Sequence, residues 1–175
     1  MKISIIVPIY NEEQCVAELV EVLHSFSQKN RHLSLEYIFV DDGSNDRTNK
    51  ILVSSIKKLS NAKIIELTKN YGQTAALYAG FNNSEGEILI TIDGDLQNDV
   101  SDIPILIEHL NNGYDVVCGW RKNRSDKYLS RILPSKVANW IISWISGVYL
   151  HDYGCTLKAY KSKILKNIKL YGEMH

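Results

Sequence analysis

The chain has 175 residues, 45% of them apolar and 23% charged, enough for one domain with a sizeable buried core. Lys+Arg and Asp+Glu number 20 each, so the formal net charge is zero and the basic excess of a general nucleic-acid binder is missing. The cysteines, Cys15, Cys118 and Cys155, are odd in number and lack CxxC spacing, which argues against a disulfide framework or a zinc site and for a reducing, cytoplasmic compartment.

Met1-Lys2 leads directly into Ile3–Ile9, an apolar stretch ended by Pro8-Ile9-Tyr10. It is too short for a signal peptide and reads as a first, buried strand. Asn11 is placed to cap the helix that follows, and Glu12 and Glu13 suit its positive end. Within that helix Cys15, Val16, Leu19, Val20, Leu23 and Phe26 recur at helical spacing. Leu35–Val40 is a second strand running into Asp41-Asp42-Gly43-Ser44-Asn45-Asp46, and a helix carrying Ile51, Leu52, Ile56 and Leu59 follows. Ala62–Leu67 is a third strand. The small, apolar Gly72–Phe81 predicts a closely packed helix, and Glu87–Ile92 is a fourth strand that runs into Asp93-Gly94-Asp95. Ser101–Leu110 completes the helices, and Tyr114–Cys118 is the fifth strand. No run of about 18 apolar residues capable of crossing a bilayer occurs.

Alternating strands and helices predict an α/β fold, a Rossmann-like, mostly parallel sheet with helices on both faces. Such sheets bind ligands beyond the carboxyl ends of their strands. The polar clusters lie there: Tyr10-Asn11 after the first strand, Asp41-Asp42 after the second, Asp93-Gly94-Asp95 after the fourth. Neither G-x-G-x-x-G nor G-x-x-x-x-G-K-[ST] is present, so a bound nucleotide would be gripped by side chains: Pro8, Tyr10, Asn11, Glu12, Asp41 and Asp42. Two carboxylates flanking a glycine offer converging oxygens of the kind that hold Mg²⁺ or Mn²⁺ together with substrate phosphates, and Gln97 adds an oxygen. D-G is also a common turn dipeptide, so a solvated turn is the competing reading. An EF-hand is excluded, because the loop counted from Asp93 has neither Gly at its sixth place nor Glu at its twelfth.

The segments Val7-Pro8-Ile9-Tyr10-Asn11-Glu12, Val40–Asp46 and Asp93-Gly94-Asp95-Leu96-Gln97 resemble family 2 glycosyltransferases of the GT-A fold. Lys69-Asn70-Tyr71-Gly72-Gln73, Arg121 and Asp152-Tyr153-Gly154-Cys155 are similar to the polyprenyl-phosphate subgroup, which includes dolichyl-phosphate mannosyltransferases. The resemblance implies inverting transfer of a hexose from a nucleotide-sugar, UDP-hexose rather than GDP-mannose, to an undecaprenyl-type phosphate. It places this at the inner face of the cell membrane. It implies that Pro8, Tyr10, Glu12 and Asp42 line the nucleotide pocket, with Lys69 and Gln73 beside them. Asp93 lies near the sugar-phosphate as a catalytic residue, and Asp95 with Gln97 holds Mg²⁺ or Mn²⁺. Arg121, Arg124 and Arg131 meet donor or acceptor phosphates, and Asp152 orients or deprotonates the acceptor. Residues 1–95 form the nucleotide-binding half and 96–175 the acceptor-side half, and a homo-oligomer is a further expectation. The Q-x-x-R-W segment of polymerising relatives is missing. Lipid-linked relatives usually continue into membrane helices, so a member of that type is expected to extend past His175.

The basic stretch Arg121–Arg131 precedes Val137–Val148, where Trp140, Ile141, Trp144 and Ile145 recur at helical spacing. That pattern fits a helix covering the sheet, and equally one whose tryptophans meet a membrane interface. His151 beside Asp152 is not read as a catalytic pair, because neighbouring residues on a strand point to opposite faces. Two rival functions stay open: a glycosyltransferase acting on a saccharide or other hydroxyl, and a non-catalytic nucleotide-sugar-binding fragment.

Overall fold

In the computed structural model, residues 1–120, 144, 147, 152, 154–165 and 168 are described. Six strands form one sheet: β1 (Lys2–Ile9), β2 (Ser34–Asp41), β3 (Ala62–Glu66), β4 (Ile88–Thr91), β5 (Val116–Cys118) and β6 (Lys158–Lys161), in the order β3-β2-β1-β4-β6-β5. The first four are mutually parallel, with Ile9 opposite Asp41 and Ile6 opposite Thr91. β6 runs antiparallel between β4 and β5.

Alternation along β1 sets the two layers. Ile3, Ile5, Val7 and Ile9 face a large cluster with Leu19, Leu23 and Phe26 of α1 (Val16–Lys29), Leu52 of α2 (Thr48–Ser55) and Ile103, Leu106 and Leu110 of α4 (Ile103–Asn111). Ile6 faces the opposite layer, where Ile38, Val40 and Leu89 meet Ala76 and Leu77 of α3 (Gln73–Asn82). The close packing predicted for α3 is present: a Cβ on Gly80 would lie 2.4 Å from Ile6 Cγ2.

Three expectations are corrected. Asn11 does not cap α1. The chain makes a turn first, Cys15 occupies the cap position without a side-chain bond, and Asn11 adopts a left-handed conformation with φ 54°. The predicted second helix is shorter than its apolar spacing implies, passing into a 3-10 turn at Ile56–Lys58. β6 was not anticipated. Its sequence Lys-Ala-Tyr-Lys is short and lysine-flanked, and only Ala159 is fully buried, so it carries neither a β-branched run nor a strong apolar pattern. Consequently the predicted fifth strand does not lie beside β4, because β6 is inserted between them.

The chain runs outward from β1 to β2 and β3, then returns to β1's other side as β4. That reversal opens a crevice at the carboxyl ends of β1 and β4, the usual ligand position in such sheets.

Candidate active site

At this reversal lies a cleft of about 380 Å³. It brings together Pro8, Tyr10 and Glu12 from the end of β1, Asp42 from β2, Gln73 from α3, and Asp93 and Asp95 beyond β4. Seven residues from four separate stretches thus meet in one place, as the polar strand ends predicted.

Asp42 shapes the wall of this cleft. It is 3% exposed, and its Oδ1 and Oδ2 accept the backbone N–H groups of Tyr71 and Gly72, each at 2.8 Å. These bonds hold the turn that opens α3, where Gly72 has φ 91°. They deliver Gln73 to Asp93, whose Oδ1 accepts from Gln73 Nε2 at 3.0 Å. Thr156, just before β6, donates its hydroxyl proton to Asp93 Oδ2. Asp95 Oδ1 accepts from the Gln97 N–H at 3.0 Å.

Other predicted residues stand around the cleft rather than in its wall. Asp41 is 1% exposed and builds the loop, with Oδ1 accepting from Ser44 N–H and Oδ2 from Asn49 Nδ2. Asn11 ties the β1 and β2 loops together, its N–H donating to Ser44 Oγ and its Oδ1 accepting from Asn45 N–H. Lys69 lies over the Tyr71 ring, 5.1 Å from its centroid, and lines a neighbouring groove with Gly43 and Ser44. Gln97 is exposed outside the cleft lining. Asp152 is buried and accepts from Gly154 N–H at 3.1 Å. Arg121, Arg124, Arg131 and His151 lie outside the described residues. So does the Val137–Val148 segment, except Trp144, which is 79% exposed, and Gly147.

Among the described residues four carboxylates line the cleft, Glu12, Asp42, Asp93 and Asp95, and no lysine or arginine does. Burial pushes the Glu12 carboxyl above its ordinary pKa, and the charges of Asp95, Asp46 and Asp93 add to this, against a hydrogen bond with Cys15. Such a wall repels an anionic diphosphate unless a cation accompanies it. Among the described residues no three His, Cys, Asp or Glu side chains form a complete metal cage. The donor set therefore suits a hard cation that takes one or two carboxylates and completes its shell from substrate phosphates, the binding style of Mg²⁺.

Sequence reasoning missed Thr156 and Lys158. Both line an apolar cavity of about 240 Å³ that shares Pro8, Gln73 and Asp93 with the cleft and whose wall includes Leu77, Phe81 and Tyr160. A signal existed, since Thr156 directly follows the Asp152–Cys155 segment and Lys158 stands two residues further on.

A model of the family described as Glycosyl transferase family 2 matches residues 4–168. The chain belongs to glycosyl transferase family 2. Among curated relatives of this glycosyltransferase, the dodecaprenyl-phosphate galacturonate synthase of Rhizobium johnstonii is 46% identical over 100% of this chain and 52% of its own length. The undecaprenyl-phosphate 4-deoxy-4-formamido-L-arabinose transferase of Pseudomonas paraeruginosa is 41% identical over 94% of this chain and 48% of its own. The chain therefore spans about half the length of these relatives. Among solved structures, glucosyl-3-phosphoglycerate synthase from Mycobacterium tuberculosis in complex with Mn²⁺, uridine diphosphate and phosphoglyceric acid matches with a TM-score of 0.74. The match is 19% identical and covers 95% of this chain and 58% of that one. The likeness establishes the glycosyltransferase GT-A fold.

Proposed function

We propose that this chain is the catalytic domain of an inverting, divalent-metal-dependent enzyme. It transfers a hexose-type sugar from a nucleotide-sugar, UDP-linked in preference to GDP-mannose, to a polyprenyl phosphate at the inner membrane face. The observation that carries this reading is the acidic cleft in which Asp93 and Asp95 meet Pro8, Tyr10, Glu12 and Asp42 at the sheet's reversal. The relatives support the acceptor class, since those named above act on dodecaprenyl or undecaprenyl phosphate by name.

All described residues that line the cleft fall within 1–95, and the adjoining cavity adds Thr156, Lys158 and Tyr160, which supports a donor half and an acceptor half meeting at Asp93. Asp95 and Gln97 would hold the cation, which would supply positive charge for a departing diphosphate. A lipid phosphate has a second pKa of about 6, so it is mostly a dianion at neutral pH and needs no strong base. One of its oxygens bonds to the anomeric carbon as the bond from that carbon to the diphosphate oxygen breaks, and the nucleoside diphosphate leaves with the electron pair. Asp152 then orients the acceptor rather than deprotonating it. Arg121, Arg124 and Arg131 neutralise the two phosphate groups that must approach one another. The exposed Trp144 supports contact of the following segment with a membrane surface. No helix among the described residues is long and apolar enough to cross a membrane.

The test is incubation of the full chain with undecaprenyl phosphate and a panel of UDP- and GDP-sugars, with Mn²⁺ and after chelation. A lipid-linked sugar formed only with metal and with one nucleotide class is the expected result. Transfer solely to a saccharide, or metal binding with no transfer to any acceptor, would sink the reading.

A further inference from the structure

Asp93 is gripped from both sides, whereas Asp95, two residues on, is not. Gln73 Nε2 meets Asp93 Oδ1 at 3.0 Å, and the Thr156 hydroxyl meets Oδ2. Thr156 is itself fixed. Its carbonyl accepts from Thr91 Oγ1 at 2.6 Å, and its hydroxyl oxygen accepts from Asn98 Nδ2 at 3.3 Å. A hydroxyl has one proton to give, so a donor arriving from Asn98 leaves that proton directed at Asp93. Gln73 is anchored in turn, because the preceding Tyr71 and Gly72 amides are bound to Asp42. Asn98, Thr156, Asp93 and Gln73 thus form one hydrogen-bonded belt that joins the loop after β4, the entry to β6 and the start of α3. The terminal torsion of an aspartate is otherwise broad, so a carboxylate held by one donor swings easily. Asp95 is in that situation, accepting from the Gln97 N–H.

We propose that Gln73 and Thr156 are positioning residues that lock the Asp93 carboxylate in one orientation toward the donor sugar, leaving Asp95 as the adjustable acid that follows its ligand. This division rests on the transferase reading. It explains why two acids separated by one glycine are treated so differently by their surroundings, and it gives a function to a threonine that stands behind the cleft and meets it through Asp93. Losing the lock costs orientation, not donor affinity. Nucleoside diphosphate binding therefore stays while turnover falls.

The test uses Thr156→Val, Thr156→Ser and Gln73→Leu in the full chain. Turnover is measured with undecaprenyl phosphate and the nucleotide-sugar that the unmodified chain uses, and binding of UDP with Mn²⁺ is measured by calorimetry. Thr156→Val should lower kcat by on the order of 10²-fold, the usual effect of a small misplacement at a reacting centre. Donor KM and UDP affinity should stay within about twofold, and Thr156→Ser should restore most of the rate. Unchanged kcat in Thr156→Val would overturn the proposal. So would UDP affinity, melting temperature and kcat falling together without rescue by serine. If the unmodified chain transfers no sugar at all, the transferase reading fails separately, and crystal structures of the variants decide the lock. Asp93 in more than one orientation in Thr156→Val and Gln73→Leu is the expected result, and an unmoved Asp93 in both refutes it.

Discussion

Asp42→Asn is the substitution whose cost follows most directly from the geometry. The carboxylate is 3% exposed and accepts two backbone N–H bonds, both at 2.8 Å, from Tyr71 and Gly72. Asparagine has the same shape but a single acceptor oxygen, so one bond survives and the other N–H faces an NH₂ group. Burial keeps water from replacing the lost partner. A hydrogen bond to a charged group contributes about 1.5–3 kcal/mol, and an orphaned buried donor adds to its loss, so a net cost of about 2–3 kcal/mol is expected. If the turn cannot open, the whole cost falls on global stability and Tm drops by about 4–12 °C for a chain of this size. If the turn opens locally, the part of the cleft wall that Asn70 and Gly72 form gives way and affinity for UDP with Mn²⁺ weakens by about 30- to 150-fold. Thermal unfolding by circular dichroism and calorimetric titration read the two routes separately. A variant that matches the parent in both Tm and UDP affinity would refute the assignment of Asp42 as the post that holds this turn.

Three other substitutions test separate parts of the molecule. In the parent, UDP with Mn²⁺ at about 100 times the dissociation constant should add roughly 2.7 kcal/mol to stability. Asp95→Ala should erase the metal-dependent share of that thermal shift, and a full shift would remove Asp95 from the metal site. Glu36 is 2% exposed and accepts from Ser4 Oγ at 2.5 Å and Glu85 N–H at 3.0 Å, with Lys63 Nζ at 2.9 Å. Burial raises its pKa, but those partners outweigh burial and hold the carboxyl below its usual value. A depressed folded-state pKa gives stability that is present at neutral pH and lost as pH falls through the folded value. Glu36→Gln should therefore cost about 2–4 kcal/mol at pH 7 by urea titration, with the gap from the parent closing below roughly pH 4. A constant gap across that range would count against the ionised network. Gly43 has φ +68°, and a Cβ there would lie 2.4 Å from the Lys69 carbonyl carbon. Left-handed strain alone costs about 1–2 kcal/mol, so Gly43→Ala should lower Tm by several degrees, and an unchanged melting curve would show that the two loops are not in contact.

Much of this protein is legible without coordinates because its informative features are local. The apolar runs Ile3–Ile9 and Leu35–Val40 mark strands by composition alone, and α1 declares itself through Leu19, Leu23 and Phe26. With alternating elements assigned, strand-end geometry requires that Tyr10, Asp42 and Asp93 converge, whatever the details of packing. What the sequence could not decide are matters of which group faces which. Asp41 and Asp42 are adjacent and chemically identical, yet one braces a loop behind the cleft and the other forms its wall, because successive residues leaving a strand point to opposite sides. The grip of Thr156 on Asp93 spans 63 residues, and β6 pairs with β4 across a still longer separation. No periodicity in a four-residue, lysine-flanked segment encodes such a contact. Composition and spacing thus determined the four parallel strands, the helices between them and the edge where ligands gather. Only tertiary structure chose the acid that is locked, since that choice lies in the directions of hydrogen bonds between segments far apart in the chain.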